Sequence, residues 1–115
     1  MLSKIILVVL AIIVIAVLYL RFTAVRISGA EARGLVAGGA LLIDVRSPEE
    51  FAEGHIDGAM SIPIQELAGR IAELGDRNDE IVLYCQSGGR SAMAKRLLER
   101  NGFTNVHDLG GIGQW

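Results

Sequence analysis

The residues best suited to chemistry are seven in a row: Cys85, Gln86, Ser87, Gly88, Gly89, Arg90 and Ser91. Cys85 is the only cysteine of the 115-residue chain, so it has no intramolecular disulfide partner and says nothing of the redox compartment. By default a free cysteine is a small buried hydrophobe. Its neighbours here reverse that default. Gly88 and Gly89 permit backbone angles that turn successive N–H groups inward, a nest for an anion. Ser91 stands where it can cap a following helix, whose positive end would then face the thiol, and Arg90 adds a full charge close by. All of these favour thiolate over thiol, the form a cysteine nucleophile needs. The expected role of Cys85 is that of a nucleophile, with Gly88, Gly89, Arg90 and Ser91 as substrate-binding residues and Gln86 and Ser87 between them in the same loop.

Such a cradle suits two chemistries: phosphate or arsenate chemistry on a cysteine, and sulfur transfer through a cysteine persulfide. A cysteine phosphatase needs an arginine six positions after its cysteine, to fork onto the equatorial oxygens. Position 91 is serine, Arg90 comes one residue early, and Tyr84 stands where many phosphatases carry histidine. The spacing speaks against phosphoryl transfer.

The elements that must position this loop follow from pattern and punctuation. Residues 40–45, apolar but for Asp44, and residues 81–84 read as strands covered on both faces. Short extended pieces are expected at residues 55–56 and 59–62, divided by the turn signal Asp57, Gly58, with a fifth at residues 106–109. Ser28 with Glu31, and Ser47 with Glu50, have capping-box spacing, and Pro48 fits a first helical position. The first helix should stop at Gly38 and Gly39, the second at a left-handed Gly54. Ile64, Leu67, Ile71 and Leu74 make one apolar face of a helix over residues 63–74. Residues 91–100 are a strong helix former with Leu97 and Leu98 inward, stopped by Asn101 and Gly102. Strands alternating with helices predict an α/β fold, a central parallel sheet with helices on both faces. Ligands of such sheets bind beyond the carboxyl ends of the strands, where Cys85 lies.

The hydrophobic fraction of 51% is concentrated at the N-terminus, where residues 5–20 carry no charge. Sixteen helical residues span roughly 24 Å, slightly short of a bilayer core, and Lys4 and Arg21 can snorkel to the headgroups. A cleaved signal peptide is the rival reading, but its small-x-small site would place Phe22 where a small residue is needed relative to Ala24. One transmembrane helix is therefore expected in residues 1–26, followed by a single domain over residues 27–115. Residues 1–28 carry three basic side chains and no acid, whereas residues 29–115 carry eight basic against thirteen acidic. The acidic domain argues against a nucleic-acid partner. The positive flank leans, by one charge, to a domain on the cytoplasmic side.

Several motifs taken in order make the chain resemble the single-domain rhodaneses. They are Asp44, Val45, Arg46; Glu50, Phe51; Gly54, His55, Ile56, Asp57, Gly58, Ala59; Ile62, Pro63; the loop from Cys85 to Ser91; and the ending Leu109, Gly110, Gly111, Ile112 with Trp115. The resemblance implies a sulfurtransferase that takes a sulfane sulfur from thiosulfate or another donor, with no metal or organic cofactor. It implies that the six residues Cys85 to Arg90 bind the transferred sulfur, and that a thiol or cyanide accepts it. Arg90 would attract the anionic donor. Asp44, Arg46, Glu50 and His55 are read as an internal polar network rather than as catalysts, His107 is assigned nothing, and Trp115 is a packing residue at the pocket wall. Rhodaneses usually continue past this tryptophan, so either a sheet less fully covered at that end or a terminus supported by the membrane or a partner is expected. Two further functions stay open beside the enzyme: a docking or regulatory module at the membrane, and, demoted by Ser91, a cysteine phosphatase or arsenate reductase.

Overall fold

The structure is a computed structural model that describes residues 1–22 and 25–115, with side chains described for 1–19 and 25–115. The snorkelling expected of Arg21, and the cleavage-site argument on Phe22 and Ala24, lie outside the described side chains. Helix α1, Leu2–Phe22, is longer than the uncharged run because Leu2, Ser3 and Lys4 join it at one end and Arg21 and Phe22 at the other. At 1.5 Å per residue the whole helix spans roughly 31 Å, and its uncharged run keeps the roughly 24 Å read from the sequence. Its described side chains are exposed, and the stretch Leu2–Tyr19 has a mean hydropathy of 2.9, with none of it buried. A signal sequence meets the same criterion of length and apolarity.

The remaining elements are α2 (Gly29–Ala37), β1 (Leu41–Asp44), α3 (Pro48–Glu53), β2 (Met60–Ser61), α4 (Ile64–Leu67), a 3-10 segment (Ala68–Leu74), β3 (Ile81–Cys85), α5 (Gly89–Arg100), β4 (Val106–Gly111) and a closing 3-10 turn (Ile112–Gln114). The four strands are all parallel, in the order β2-β1-β3-β4. The chain runs from β1 outward to β2, then crosses to the other side of β1 to lay down β3 and β4. The switch of direction falls between β1 and β3, which is where such sheets open a crevice at their carboxyl ends.

Side-chain alternation sorts the sheet into two cores. Ile43, Ile81, Leu83 and Cys85 face one side, against Leu67, Leu74, Ala94 and Leu98 from the helical segments α4, 3-10 and α5. Leu42, Val82 and Tyr84 face the other, against Ala32 of α2 and, at its margin, Trp115. The period of two therefore sends Cys85 towards α5 and its neighbour Tyr84 to the opposite face.

Four local expectations are corrected. The sheet has four strands, not five, because His55 and Ile56 form no ladder; the Ile56 N–H instead donates to the Tyr84 hydroxyl at 3.1 Å. Residues 63–74 are not one helix but α4 followed by the 3-10 segment, kinked at Arg70 (φ −120°, ψ 16°). Gly69 weakens the helix there, and Arg70 is pulled to Glu73 at 2.7 Å and the Ser61 carbonyl at 3.4 Å. Gly54 ends α3 at φ 156° and ψ 137° rather than in the left-handed helical region, which lets its carbonyl accept from Arg46 Nη2 at 2.7 Å. The N-cap of α5 is Gly88, not Ser91.

Candidate active site

Strand β3 ends on Cys85 and α5 begins at Gly89, so only three residues separate the thiol from the helix. Gly88, at φ 108° and ψ −14°, makes that turn possible; an L-residue would be strained there. The turn aims the Gly88 N–H at Cys85 Sγ, 3.0 Å away. Ser91, fully buried in the first turn of α5, holds its Oγ 3.5 Å from Sγ and donates to the carbonyls of Gly88 (3.1 Å) or Gly110 (3.4 Å). Thus Ser91 faces the sulfur from inside the helix, which a serine at the cap would not do.

These contacts set the acidity of the thiol. Burial pushes the Cys85 pKa up, but donation from the Ser91 hydroxyl and from the N–H groups of Ser91, Gly88 and Ser87 outweighs it and lowers the net value. Cys85 as a residue is 1% exposed and its thiol is free of any disulfide. A buried thiolate held by several donors can attack, and the same donors can hold the charge of a persulfide built on it.

The other loop residues take distinct places. Gln86 and Ser87 are exposed on the rim, and Gln86 Oε1 accepts from Arg46 Nη1 at 3.1 Å. Gly89 is exposed at the start of α5. Arg90 points to α3, where its two terminal nitrogens meet the Glu50 carboxylate at 2.6 and 3.0 Å. Glu50 also accepts from the Ser47 N–H and serves the capping box of α3. The Arg90 guanidinium, with the Ser47 bonds and against a small desolvation penalty, lowers the Glu50 pKa to about 2.

Beneath the loop, Asp44 and Arg46 form a buried ion pair. Arg46 Nη2 lies 2.7 Å from Asp44 Oδ2, Nε bonds both carboxylate oxygens at 3.0 Å, and the Arg46 N–H reaches Oδ1 at 2.9 Å. Through Gly54 and Gln86 the same guanidinium ties the α3 turn to the Cys85 loop. His55 stands apart: it is exposed, stacked on Phe51 at 3.7 Å and bonded to the Phe51 carbonyl. His107 meets Glu80 at the far end of the sheet, a partner with no local sequence signal.

The sequence model of the Rhodanese-like domain family matches residues 28–115. The chain belongs to the rhodanese family. Its rhodanese domain is 42% identical over 71 residues to the thiosulfate sulfurtransferase PspE of Escherichia coli, covering 61% of this chain and 68% of that protein. It is 36% identical over 91 residues to the thiosulfate sulfurtransferase GlpE of Pseudomonas aeruginosa, covering 78% and 82%. The solved human single-domain sulfurtransferase TSTD1 superposes with a TM-score of 0.67 at 34% identity, over 78% of this chain and 90% of that one. This rhodanese is an enzyme of the sulfurtransferase type, with the parallel α/β sheet that its sequence predicts.

One residue of the rhodanese site was not expected. Arg26, assigned from sequence to the membrane flank, lies against the Cys85 loop: a side chain at Gly88 would collide with its guanidinium, and one at Gly110 would come within 3.0 Å of its Cδ. The only signal in the sequence was a basic residue just ahead of the domain, which membrane anchoring explained equally well.

Proposed function

We propose that the chain moves a sulfane sulfur from thiosulfate or a persulfide donor to a thiol or cyanide through a persulfide on Cys85. The observation that supports it most is the 3.0 Å bond from the Gly88 N–H to Sγ, with Ser91 Oγ 3.5 Å from the same sulfur. In the first step the Cys85 thiolate attacks the outer sulfur of thiosulfate. A Cys85 S–S bond forms, the S–S bond of thiosulfate breaks, and its electron pair leaves with sulfite. Three negative charges enter and three remain, one on the persulfide and two on sulfite. In the second step a thiolate or cyanide takes the outer sulfur and returns Cys85 to its thiolate form. Gln86, Ser87, Gly88, Gly89, Arg90 and Ser91 form the binding rim and cradle. No metal or organic cofactor enters either step. The position a phosphatase would give to arginine is filled by the buried Ser91, which further disfavours phosphoryl transfer.

In this reading residues 1–26 are a single-pass anchor with its basic flank and residues 27–115 the rhodanese-like domain, working at a membrane surface on the cytoplasmic side. The test is release of thiocyanate from thiosulfate and cyanide by the full chain in detergent, with intact mass before cyanide is added. Wild type gains the mass of one sulfur and Cys85→Ala neither gains it nor turns over. If the two proteins behave alike and no persulfide forms, the docking module replaces the enzyme reading.

A further inference from the structure

Three arginines surround the sulfur site, and two of them are already neutralised. Arg46 is locked onto Asp44 below the loop. Arg90 is forked onto Glu50, whose lowered pKa keeps it ionised across the neutral range. Arg26 is exposed and has no ion pair or hydrogen bond among the described residues. With the two pairs cancelled, Arg26 is the one of these three arginines whose charge stays uncompensated by an ion pair beside the Cys85 thiolate. A dianionic donor approaching that thiolate meets like charge, and an uncommitted cation beside it relieves the repulsion.

The backbone explains how Arg26 arrives there. The N–H of Ile27 donates to the Asp108 carbonyl at 2.9 Å, which pins the entering segment beside β4. Strand β4 carries a bulge opposite Leu83 and Tyr84, where Asp108 Oδ1 accepts the Gly110 N–H at 2.8 Å and Gly110 adopts φ 87°. Gly110 and Gly88 lack side chains where the arginine crosses them. Following standard bond lengths from Sγ through Gly88, the guanidinium lies no more than about 8 Å from the sulfur. An oxygen of a donor whose outer sulfur is in reacting contact with Sγ lies on the order of 6 Å from it, two covalent bonds beyond a 3–3.5 Å approach.

We propose that Arg26 is the anion-recognition residue of the Cys85 site, taking the oxyanion end of the sulfur donor in its planar fork while the outer sulfur meets Sγ. This rests on the sulfur-transfer reading for the identity of the donor, but not for the existence of the anion site. The fork geometry suits two oxygens of one sulfonate-like group.

The test compares alkylation of Cys85 by iodoacetate and by iodoacetamide, reagents of similar size that differ in charge, on the full chain in detergent micelles. Taking the rate ratio cancels any change in thiolate content. In Arg26→Gln the iodoacetate-to-iodoacetamide ratio should fall about tenfold, as expected for one lost charge-assisted contact, and Arg26→Lys should recover part of it. The KM for thiosulfate should rise in Arg26→Gln with kcat little altered, and the rate should depend less on salt. An unchanged ratio, or an equal change with both reagents, overturns the proposal, the second outcome marking a purely structural role. If the ratio falls but neither protein forms a persulfide from thiosulfate, the anion site stands and the sulfur-donor reading fails.

Discussion

Replacing Ser91 with alanine tests whether the thiol is tuned from inside α5. The Ser91 hydroxyl has one proton and three acceptors within reach: Sγ at 3.5 Å and the carbonyls of Gly88 and Gly110 at 3.1 and 3.4 Å. Beside a neutral thiol the proton serves a carbonyl; beside a thiolate it turns to sulfur. A hydrogen bond to a charged group contributes about 1.5–3 kcal/mol, and the carbonyl bond forgone offsets about 0.5–1.5 kcal/mol of it. The net preference for thiolate is then about 1–1.5 kcal/mol, or roughly one pKa unit. Ser91→Ala should therefore move the midpoint of the pH–rate profile for iodoacetamide alkylation of Cys85 up by about one unit. Nucleophilicity rises with pKa with a Brønsted slope of about 0.4–0.5, so the alkaline plateau should be about threefold higher in the variant. The two profiles cross: the variant is slower near neutrality and faster at high pH. An unmoved midpoint would refute the tuning role. A variant slower at every pH would mean that Ser91 acts through packing instead.

Arg90→Gln removes the main cause of the low Glu50 pKa, so that carboxyl should protonate at higher pH. The pair's contribution to stability is present above the ordinary carboxylate pKa and is lost as pH falls through about 2. Acid unfolding followed by Trp115 fluorescence should accordingly begin at higher pH in the variant, and an unchanged onset would show the pair to be screened by solvent. Tyr84→Phe leaves the buried Ile56 N–H without its acceptor and should cost about 1–3 kcal/mol in urea unfolding. Asp44→Asn breaks the buried pair beneath the loop and should cost about 3–5 kcal/mol, a large share of the stability of a small domain. For the side of the membrane, the 1% exposed Cys85 is a poor reporter, so Met93→Cys, at a side chain 54% exposed, is the better one. In intact cells its labelling by a membrane-impermeant maleimide should wait for permeabilisation if the domain is cytoplasmic, and prompt labelling would reverse that orientation.

Sequence alone was sufficient for most elements whose determining interaction is short in range, though not for residues 63–74, where Gly69 and the Arg70–Glu73 contact break the expected helix. The two capping serines, Pro48 and the alternation of the buried strands all act within a few residues, and with them the β3–loop–α5 unit that carries Cys85 was legible. The departures were local too where geometry served a distant partner, as when Gly54 turned its carbonyl to Arg46. Tertiary structure decided what depends on chain crossings. Arg90 meets Glu50 forty residues away, and Tyr84 caps the Ile56 N–H twenty-eight residues away, because the order β2-β1-β3-β4 brings the ends of β1 and β3 together. Ser91 looked like a cap until Gly88 took that place and turned the serine onto the sulfur. Arg26 is the clearest case. Its charge was readable from the start, but only the pairing of Ile27 with Asp108 across the fold brings that charge to the Cys85 loop. Composition specifies which charges a chain has; the sheet order and its bulge specify which of them remain unpaired beside the thiol.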